Sequence, residues 1–202
     1  MSRVSEIGDA VLAAQRRLGL QNPRYQVMGM TPTEIERSSL FRDLPPRSEL
    51  HDLYEWRNGT SREGIPIGKL WIRPGFYLLS ANEAVVENAY ARNKLDDWRD
   101  SWYPILSNGA GSRYFCDVCK FTGSQVPLFY FDPESTPEWG KIYDSIELML
   151  SALAACYEKD IYFIGQDGRL CTDFPREVEA SRRLNPNSDY WRRGDLFKGQ
   201  VE

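Results

Sequence analysis

The chain has 202 residues, of which 42% are hydrophobic and 13% aromatic, so it is long enough for one domain with a sizeable core. Its formal net charge is −4, from 25 basic and 29 acidic residues, and this balance does not favour nucleic acid, which requires a clustered basic surface. No segment approaches the roughly 18 apolar residues that cross a bilayer, and no apolar run follows the charged N-terminus. We therefore predict a cytoplasmic protein that binds neither nucleic acid nor membrane and keeps its four cysteines reduced.

The N-terminal part of the chain is predicted to be helical. Apolar residues recur at helical spacing over residues 4–18, and Gly19 ends this first helix. Thr31 and Glu34 form a capping box that begins a second helix. A third helix follows and ends at Asn58-Gly59, because both residues tolerate the left-handed conformation.

The middle of the chain is predicted to consist mainly of strands around one helix. That helix begins with Asn82 as its cap and runs to about residue 94. From residue 103 onwards the apolar period changes towards two, which is typical of an antiparallel sheet. The predicted strands cover residues 69–72, 76–79, 103–106, 113–118 and 126–131.

The C-terminal part is predicted to contain a helix, a hairpin, a second helix and a tail. The helix opens at Asp144, and the hairpin turns at Gly165-Gln166-Asp167-Gly168. The second helix covers 174–184, and irregular, frayed structure is expected beyond it. The predicted organisation is residues 1–30 as a helix and loop, 31–160 as an α+β core, and 161–202 as a hairpin, helix and tail packed on the core.

Four blocks of sequence follow one another in the predicted core. They are Leu44-Pro45-Pro46 with Leu50 to Gly59, Phe76 to Ala84, Trp102 to Asp117, and Val126 to Ile146. In order and spacing these blocks resemble the SUKH superfamily, which includes cell-wall assembly regulators and bacterial immunity proteins. The resemblance implies an α+β fold in which a single mixed, mainly antiparallel sheet is packed by helices on one side. It also implies binding to another protein, such as a toxin, and it supplies no catalytic residues.

Cys116-x-x-Cys119 is the first pattern with chemical potential, because thiolates two residues apart can chelate zinc or form a redox pair. A closed zinc site needs four ligands, and the remaining candidates, Cys156, Cys171 and His51, include no second close pair. The pair also lies at the end of a predicted strand, whereas a redox pair favours a helix N-terminus. We therefore predict structural cysteines, with neither a metal nor a cofactor.

His51 is the single histidine, and no nucleophile elbow of the G-x-S-x-G kind accompanies it, so no catalytic role is predicted for it. The turn Asn108-Gly109-Ala110-Gly111 has backbone N–H groups that an anion can use, but it lacks the helix and the Lys-Ser/Thr pair of a P-loop. We predict that this turn and Gly165–Gly168 are plain tight turns.

The most suggestive surface feature is an acidic segment that also contains tryptophan. Asp96, Asp97 and Asp100 are expected to steer a basic partner, and Trp98 is expected either to anchor that partner or to belong to the core. Tyr190 and Trp191 form a second aromatic patch, which either binds a partner or docks the tail onto the domain.

Two function hypotheses follow from these features. The first is a non-catalytic protein-binding module, either an immunity protein that neutralises a basic toxin or a signalling adaptor, present as a monomer or weak dimer. The alternative is a hydrolase-like enzyme in which carboxylates such as Asp117 and Glu83 share a pocket and perform general acid–base chemistry.

Overall fold

The computed structural model describes residues 2–42, 44–45, 47–133 and 140–193. It confirms the predicted α+β class, since helices and antiparallel strand pairs alternate through the described chain. No described helix combines the length and the apolar character needed to span a bilayer.

Helices account for most of the secondary structure in the described ranges. The α-helices are α1 (Arg3–Arg17), α2 (Asn22–Tyr25), α3 (Pro32–Arg37), α4 (Glu49–Trp56), α5 (Ala81–Lys94), α6 (Ile146–Glu158), α7 (Phe174–Leu184) and α8 (Asp189–Arg192). Short 3-10 helices cover Ser39–Phe41, Ile67–Lys69 and Val118–Lys120.

The strands of the described chain form one five-stranded sheet and two two-stranded ribbons. The strands are β1 (Gln26–Met28), β2 (Arg57–Thr60), β3 (Tyr77–Leu78), β4 (Trp102–Ser107), β5 (Arg113–Asp117), β6 (Leu128–Phe131), β7 (Lys141–Tyr143), β8 (Tyr162–Ile164) and β9 (Leu170–Thr172). The main sheet has the order β3-β4-β5-β6-β7, and all of its pairs are antiparallel. The ribbons pair β1 with β2 and β8 with β9.

Local sequence signals explain where several helices begin and end. Thr31 and Glu34 form the predicted capping box of α3, with the Thr31 amide donating to Glu34 Oε2 at 2.7 Å. Gly19 follows α1 with φ of +73°, as the predicted stop signal requires. Helix α5 starts two residues earlier than predicted, because Ser80 rather than Asn82 caps it and Glu83 completes the box.

One face of the main sheet carries the principal hydrophobic core. Helices α1, α4 and α6 bury their apolar faces against it, and α6 contributes seven buried residues, among them Leu150 and Leu153, which are fully buried. On β5, the alternation of side chains directs Tyr114 and Cys116 towards these helices. Residues from the N-terminal, middle and C-terminal parts of the chain all belong to this one cluster.

The opposite face of the sheet is covered by aromatic side chains. Phe115, Phe129 and Phe131 project from β5 and β6 and pack against Trp98 and Trp102. The last turn of α5 adds Ala91. The SUKH resemblance implies packing by helices on one side of the sheet, and this aromatic layer on the other side is an additional feature.

Two local predictions in the middle of the chain are wrong. Residues 69–72 are not a strand, because the 3-10 helix over Ile67–Lys69 is followed by a tight loop closed by an Arg73–Phe76 bridge. Asn58-Gly59 lies within β2 and does not end a helix, since α4 ends earlier, at Trp56. Gly59 is nevertheless required, because its φ is +82° and a Cβ there would lie 2.3 Å from the Ser80 amide nitrogen.

The tail after α7 folds back onto the sheet instead of fraying. The Asp144 amide donates to Asn185 Oδ1 at 3.0 Å, and Ser188 Oγ donates to the Lys141 carbonyl at 2.9 Å. These bonds position α8 so that Trp191 is fully buried. The prediction of irregular structure holds for residues 185–188 but is wrong for α8, and the predicted fraying is wrong for both, whereas residues 194–202 lie outside the described part.

Candidate binding surfaces

Three loops that are distant in sequence meet around an open cleft of about 420 Å³. They comprise residues 66–71, residues 108–110 in the turn between β4 and β5, and residues 167–169 in the turn between β8 and β9. The first two loops touch directly, because a Cβ on Gly109 would lie 2.7 Å from Ile67 Cδ1. The structure therefore brings together the two glycine turns that stand out in the sequence, and we call this site the three-loop cleft.

Several backbone N–H groups of these turns are already used within the turns. The Ala110 amide donates to Asn108 Oδ1 at 2.8 Å, and the Arg169 amide donates to Asp167 Oδ1 at 3.0 Å. The Gly168 amide donates to the Gly165 carbonyl at 2.9 Å. This bonding confirms that both are tight turns. Because these N–H groups already have acceptors, side chains must recognise any ligand in the cleft.

The lining of the three-loop cleft contains both apolar and charged side chains. Pro66, Ile67 and Trp71 supply apolar surface, and Lys69 and Arg169 supply positive charge. Arg169 Nε lies 3.5 Å from Asp167 Oδ2, whereas Lys69 has no ion pair within the described ranges. The cleft thus combines an apolar surface with two cations and one carboxylate.

Large apolar side chains are exposed in the cleft and on the strand that leads into its third loop. Ile67 is 38% exposed within its lining, and Phe163 and Ile164 are 43% and 38% exposed on β8, the strand that leads into the third loop. Exposed apolar surface next to charged groups is the usual composition of a contact site for another molecule. The sequence gives no local sign of this arrangement, because it depends on three separate segments.

The acidic segment after α5 differs from its prediction in one important respect. Trp98 is only 6% exposed and packs against Phe115 and Phe131, so it belongs to the core and cannot anchor a partner in this conformation. Asp100 is exposed but pairs with Arg92 at 2.6 Å. Asp96 and Asp97 are exposed and, within the described chain, form no ion pair, so they remain available to steer a partner.

The outward face of α5 is a second exposed apolar feature. Val86 and Tyr90 lie one turn apart on this helix and are 59% and 57% exposed. The opposite side of the helix is buried through Ala84, Asn88 and Ala91. We call the exposed face the α5 ridge.

The aromatic patch in the tail is also largely internal. The Trp191 ring is fully buried, with its centroid 5.9 Å from that of Tyr143 and 4.8 Å from that of Tyr190. Tyr190 is partly buried and contacts the Tyr130 ring edge to face at 5.5 Å. Of the two alternatives for this patch, the burial of Trp191 favours docking of the tail.

His51 and Cys116 have structural surroundings. The Ser48 amide and hydroxyl lie 3.3 and 2.9 Å from His51 Nδ1, so the imidazole completes the capping box of α4. Burial lowers the pKa of His51 and keeps the ring neutral, as a cap acceptor requires. Burial raises the pKa of the Cys116 thiol to about 12, so the free side chain stays protonated and is a poor nucleophile.

The two carboxylates of the enzyme hypothesis each serve a local structural purpose. Asp117 is buried and accepts a hydrogen bond from the Cys119 amide at 3.1 Å, which caps the short 3-10 helix. Glu83 closes the capping box of α5 and pairs with Arg62 at 2.6 Å. Neither carboxylate lines the three-loop cleft.

A buried ion pair connects the loop before β3 to α7. Arg73 Nη2 lies 2.8 Å from Glu177 Oε1, and the side chains are 8% and 1% exposed. Glu177 also accepts from the hydroxyls of Tyr162 at 2.6 Å and Thr172 at 2.9 Å. Burial by itself would lower the pKa of Arg73, but the surrounding acidic groups, Glu177 foremost, hold it well above its ordinary value. The guanidinium therefore stays charged inside the protein.

Glu49 is a second buried carboxylate that the sequence does not reveal. Its Oε2 accepts from the Val126 amide at 3.0 Å and from the Ile146 amide at 2.9 Å, which joins α4 to the N-terminus of α6. Burial raises the pKa of Glu49, and these two hydrogen bonds oppose the increase. Glu49 therefore explains how the two helices are fixed relative to each other.

We expect Glu49 to make stability depend on pH. Because its folded-state pKa is raised, its contribution is fully present below the ordinary value of 4.5 and is lost as the pH rises through the folded value. Glu49→Gln keeps an oxygen that can accept both amides but cannot ionise. Urea unfolding across this pH range should therefore show the wild type losing stability relative to Glu49→Gln as the pH rises.

Glu49→Ala is the control for the hydrogen bonds. It leaves two buried N–H groups without an acceptor, so it should lower the free energy of unfolding by about 1–3 kcal/mol for each of them. A difference between wild type and Glu49→Gln that stays constant with pH would show that Glu49 does not titrate as its burial requires.

Comparison with known proteins places no further constraint on these surfaces: the chain matches no family model and no curated protein.

Proposed function

We propose that this chain is a non-catalytic protein-binding module of SUKH-like architecture, which acts in the cytoplasm as an immunity protein against a toxin or as a signalling adaptor. The observation that carries the proposal is the three-loop cleft, where exposed apolar side chains and two cations surround a concave surface of about 420 Å³. This combination suits the capture of a protruding side chain from another protein.

The apolar part of the cleft supplies most of the binding free energy in this proposal. A partner side chain that enters the cleft covers Ile67, and each square ångström of apolar surface removed from water contributes about 25 cal/mol. Lys69 and Arg169 pair with carboxylates of the partner at the rim. Such rim pairs set orientation more than affinity.

The charge distribution gives the partner two distinct requirements. The net charge of −4 and the exposed Asp96 and Asp97 favour the approach of a basic protein over distances of several ångströms. At the cleft itself, the partner presents an apolar side chain with a carboxylate beside it. A basic toxin with such a loop satisfies both requirements.

The proposal is tested first by capture and then by titration. A photo-crosslinking amino acid at position 67 should capture the partner in the native host, and the captured protein is then purified. Ile67→Asp places a charge in the apolar part of the cleft and should raise the dissociation constant measured by calorimetry at least about tenfold.

Met28→Asp is the matched control, because Met28 is 86% exposed on β1 and does not line the cleft. It should bind the partner as the wild type does. Equal affinity of the partner for the wild type and Ile67→Asp would show that the cleft is not the binding site. Chemical conversion of the captured protein would show that the chain is an enzyme and not a binding module.

A further inference from the structure

The α5 ridge has a charge and side-chain pattern that complements itself. Val86 and Tyr90 occupy its centre, and Asn82 and Asn93 are exposed towards its two ends. Glu83 lies near the N-terminal end and Lys94 at the C-terminal end, both on the same side of the helix, because eleven residues are close to three full turns.

An antiparallel pair of such helices, related by a two-fold axis, brings together residues at equal distances from the axis. With the axis level with Asn88, Val86 of one copy meets Tyr90 of the other. The same arrangement brings Asn82 close to Asn93 and Glu83 close to Lys94, with each pair offset by one residue, or about 1.5 Å along the helix. Each contact occurs twice, and no like charges meet among these positions.

We infer that the α5 ridge is the contact surface for a second copy of this chain, which pairs with the first in an antiparallel, two-fold arrangement. Contact between Val86 and Tyr90 across the axis removes both side chains from water and is the source of the affinity. Glu83 already binds Arg62 at 2.6 Å, so Lys94 of the other copy adds little energy and mainly selects the antiparallel direction.

The size of the ridge limits the strength of this dimer. One pair of helices, each about 21 Å long, buries less than the roughly 1,200 Å² from which stable interfaces begin. The dimer is therefore weak and reversible, with a dissociation constant on the order of 0.1 mM. This self-association is independent of the proposed partner at the three-loop cleft.

Sedimentation velocity over a range of protein concentrations tests the inference. The weight-average mass of the wild type should rise from that of one chain towards that of two. Val86→Asp with Tyr90→Asp should remain monomeric throughout, and because both side chains are exposed, circular dichroism should show an unchanged fold. Val27→Asp with Met28→Asp changes another exposed apolar pair and should dimerise as the wild type does.

Cross-linking tests the antiparallel direction separately. In a background with Cys119→Ser and Cys171→Ser, mixing the Asn82→Cys and Asn93→Cys proteins with a short bis-maleimide should give a cross-linked dimer, and neither protein alone should do so. A wild type that stays monomeric, or a dimer that survives the double aspartate substitution, overturns the inference. Cross-linking of Asn82→Cys with itself overturns the antiparallel arrangement.

Discussion

Arg73→Ala is expected to lower the free energy of unfolding by about 3–5 kcal/mol, because it leaves the Glu177 carboxylate buried without its cation. Glu177 is 1% exposed, and water cannot replace the lost charge without opening the contact between α7 and the loop before β3. Arg73 also lies over the rings of Phe76 and Tyr114, at 5.6 and 5.0 Å from their centroids, so its loss removes packing as well. Equilibrium unfolding in urea measures the change.

Replacing both Arg73 and Glu177 shows whether the ion pair itself stabilises the fold or whether Arg73 only offsets the cost of a buried carboxylate. Two guanidinium nitrogens of Arg73, Nε and Nη1, are buried and have no hydrogen-bond acceptor in the described structure. An imperfectly satisfied pair of this kind should be replaceable by apolar side chains, so Arg73→Met with Glu177→Leu should recover most of the stability that Arg73→Ala loses.

The exposed pair of Arg3 and Glu6 is the control for this experiment. Its side chains are 66% and 50% exposed, so Arg3→Ala should change the free energy of unfolding by about 1 kcal/mol or less. If Arg73→Ala proved equally mild, the Arg73–Glu177 pair would have no structural importance.

Trp191→Ala is the second substitution with a large expected effect, a loss of about 3–5 kcal/mol in the free energy of unfolding. The indole is fully buried against Tyr143 and Tyr190, and removing it leaves a cavity that the surrounding rings can fill only in part. Trp191→Phe retains an aromatic ring and should lose less. Both values come from urea unfolding monitored by far-ultraviolet circular dichroism.

Tyr90→Ala is the corresponding control at a protein concentration where the chain is monomeric, because Tyr90 is 57% exposed and its loss creates no cavity. It should change stability by about 0.5 kcal/mol or less. If Trp191→Ala left stability unchanged and abolished partner binding, Trp191 would contact the partner and not the core.

Local patterns in the sequence are sufficient for much of the secondary structure. The stripe that forms α1, the capping box of α3 and the alternating strands β4 to β6 were all predictable, because each depends on residues a few positions apart. The strand predicted at 69–72 was wrong for a tertiary reason. Leu70 and Ile72 are buried as a strand pattern suggests, but the chain there turns tightly within a loop.

The candidate site was much less predictable than the helices and strands. Both glycine turns were visible in the sequence, but their meeting with residues 66–71 depends on the packing of the whole domain. Trp98 illustrates the same difficulty, since the acidic residues around it indicated a surface segment. Its indole packs in the interior against Phe115 and Phe131, which belong to strands that follow it in the sequence.

The late position of Glu177 and Trp191 in the chain also affects how the protein folds during synthesis. While the ribosome is still producing α6, Arg73 has no buried counter-charge and Tyr143 has no covering indole, because both partners have yet to be made. The main sheet is complete by β7, but its docking with the C-terminal helices must wait. A nascent chain halted before α7 would therefore leave apolar and aromatic surface around Tyr143 uncovered, and chaperones bind exposed surface of this kind.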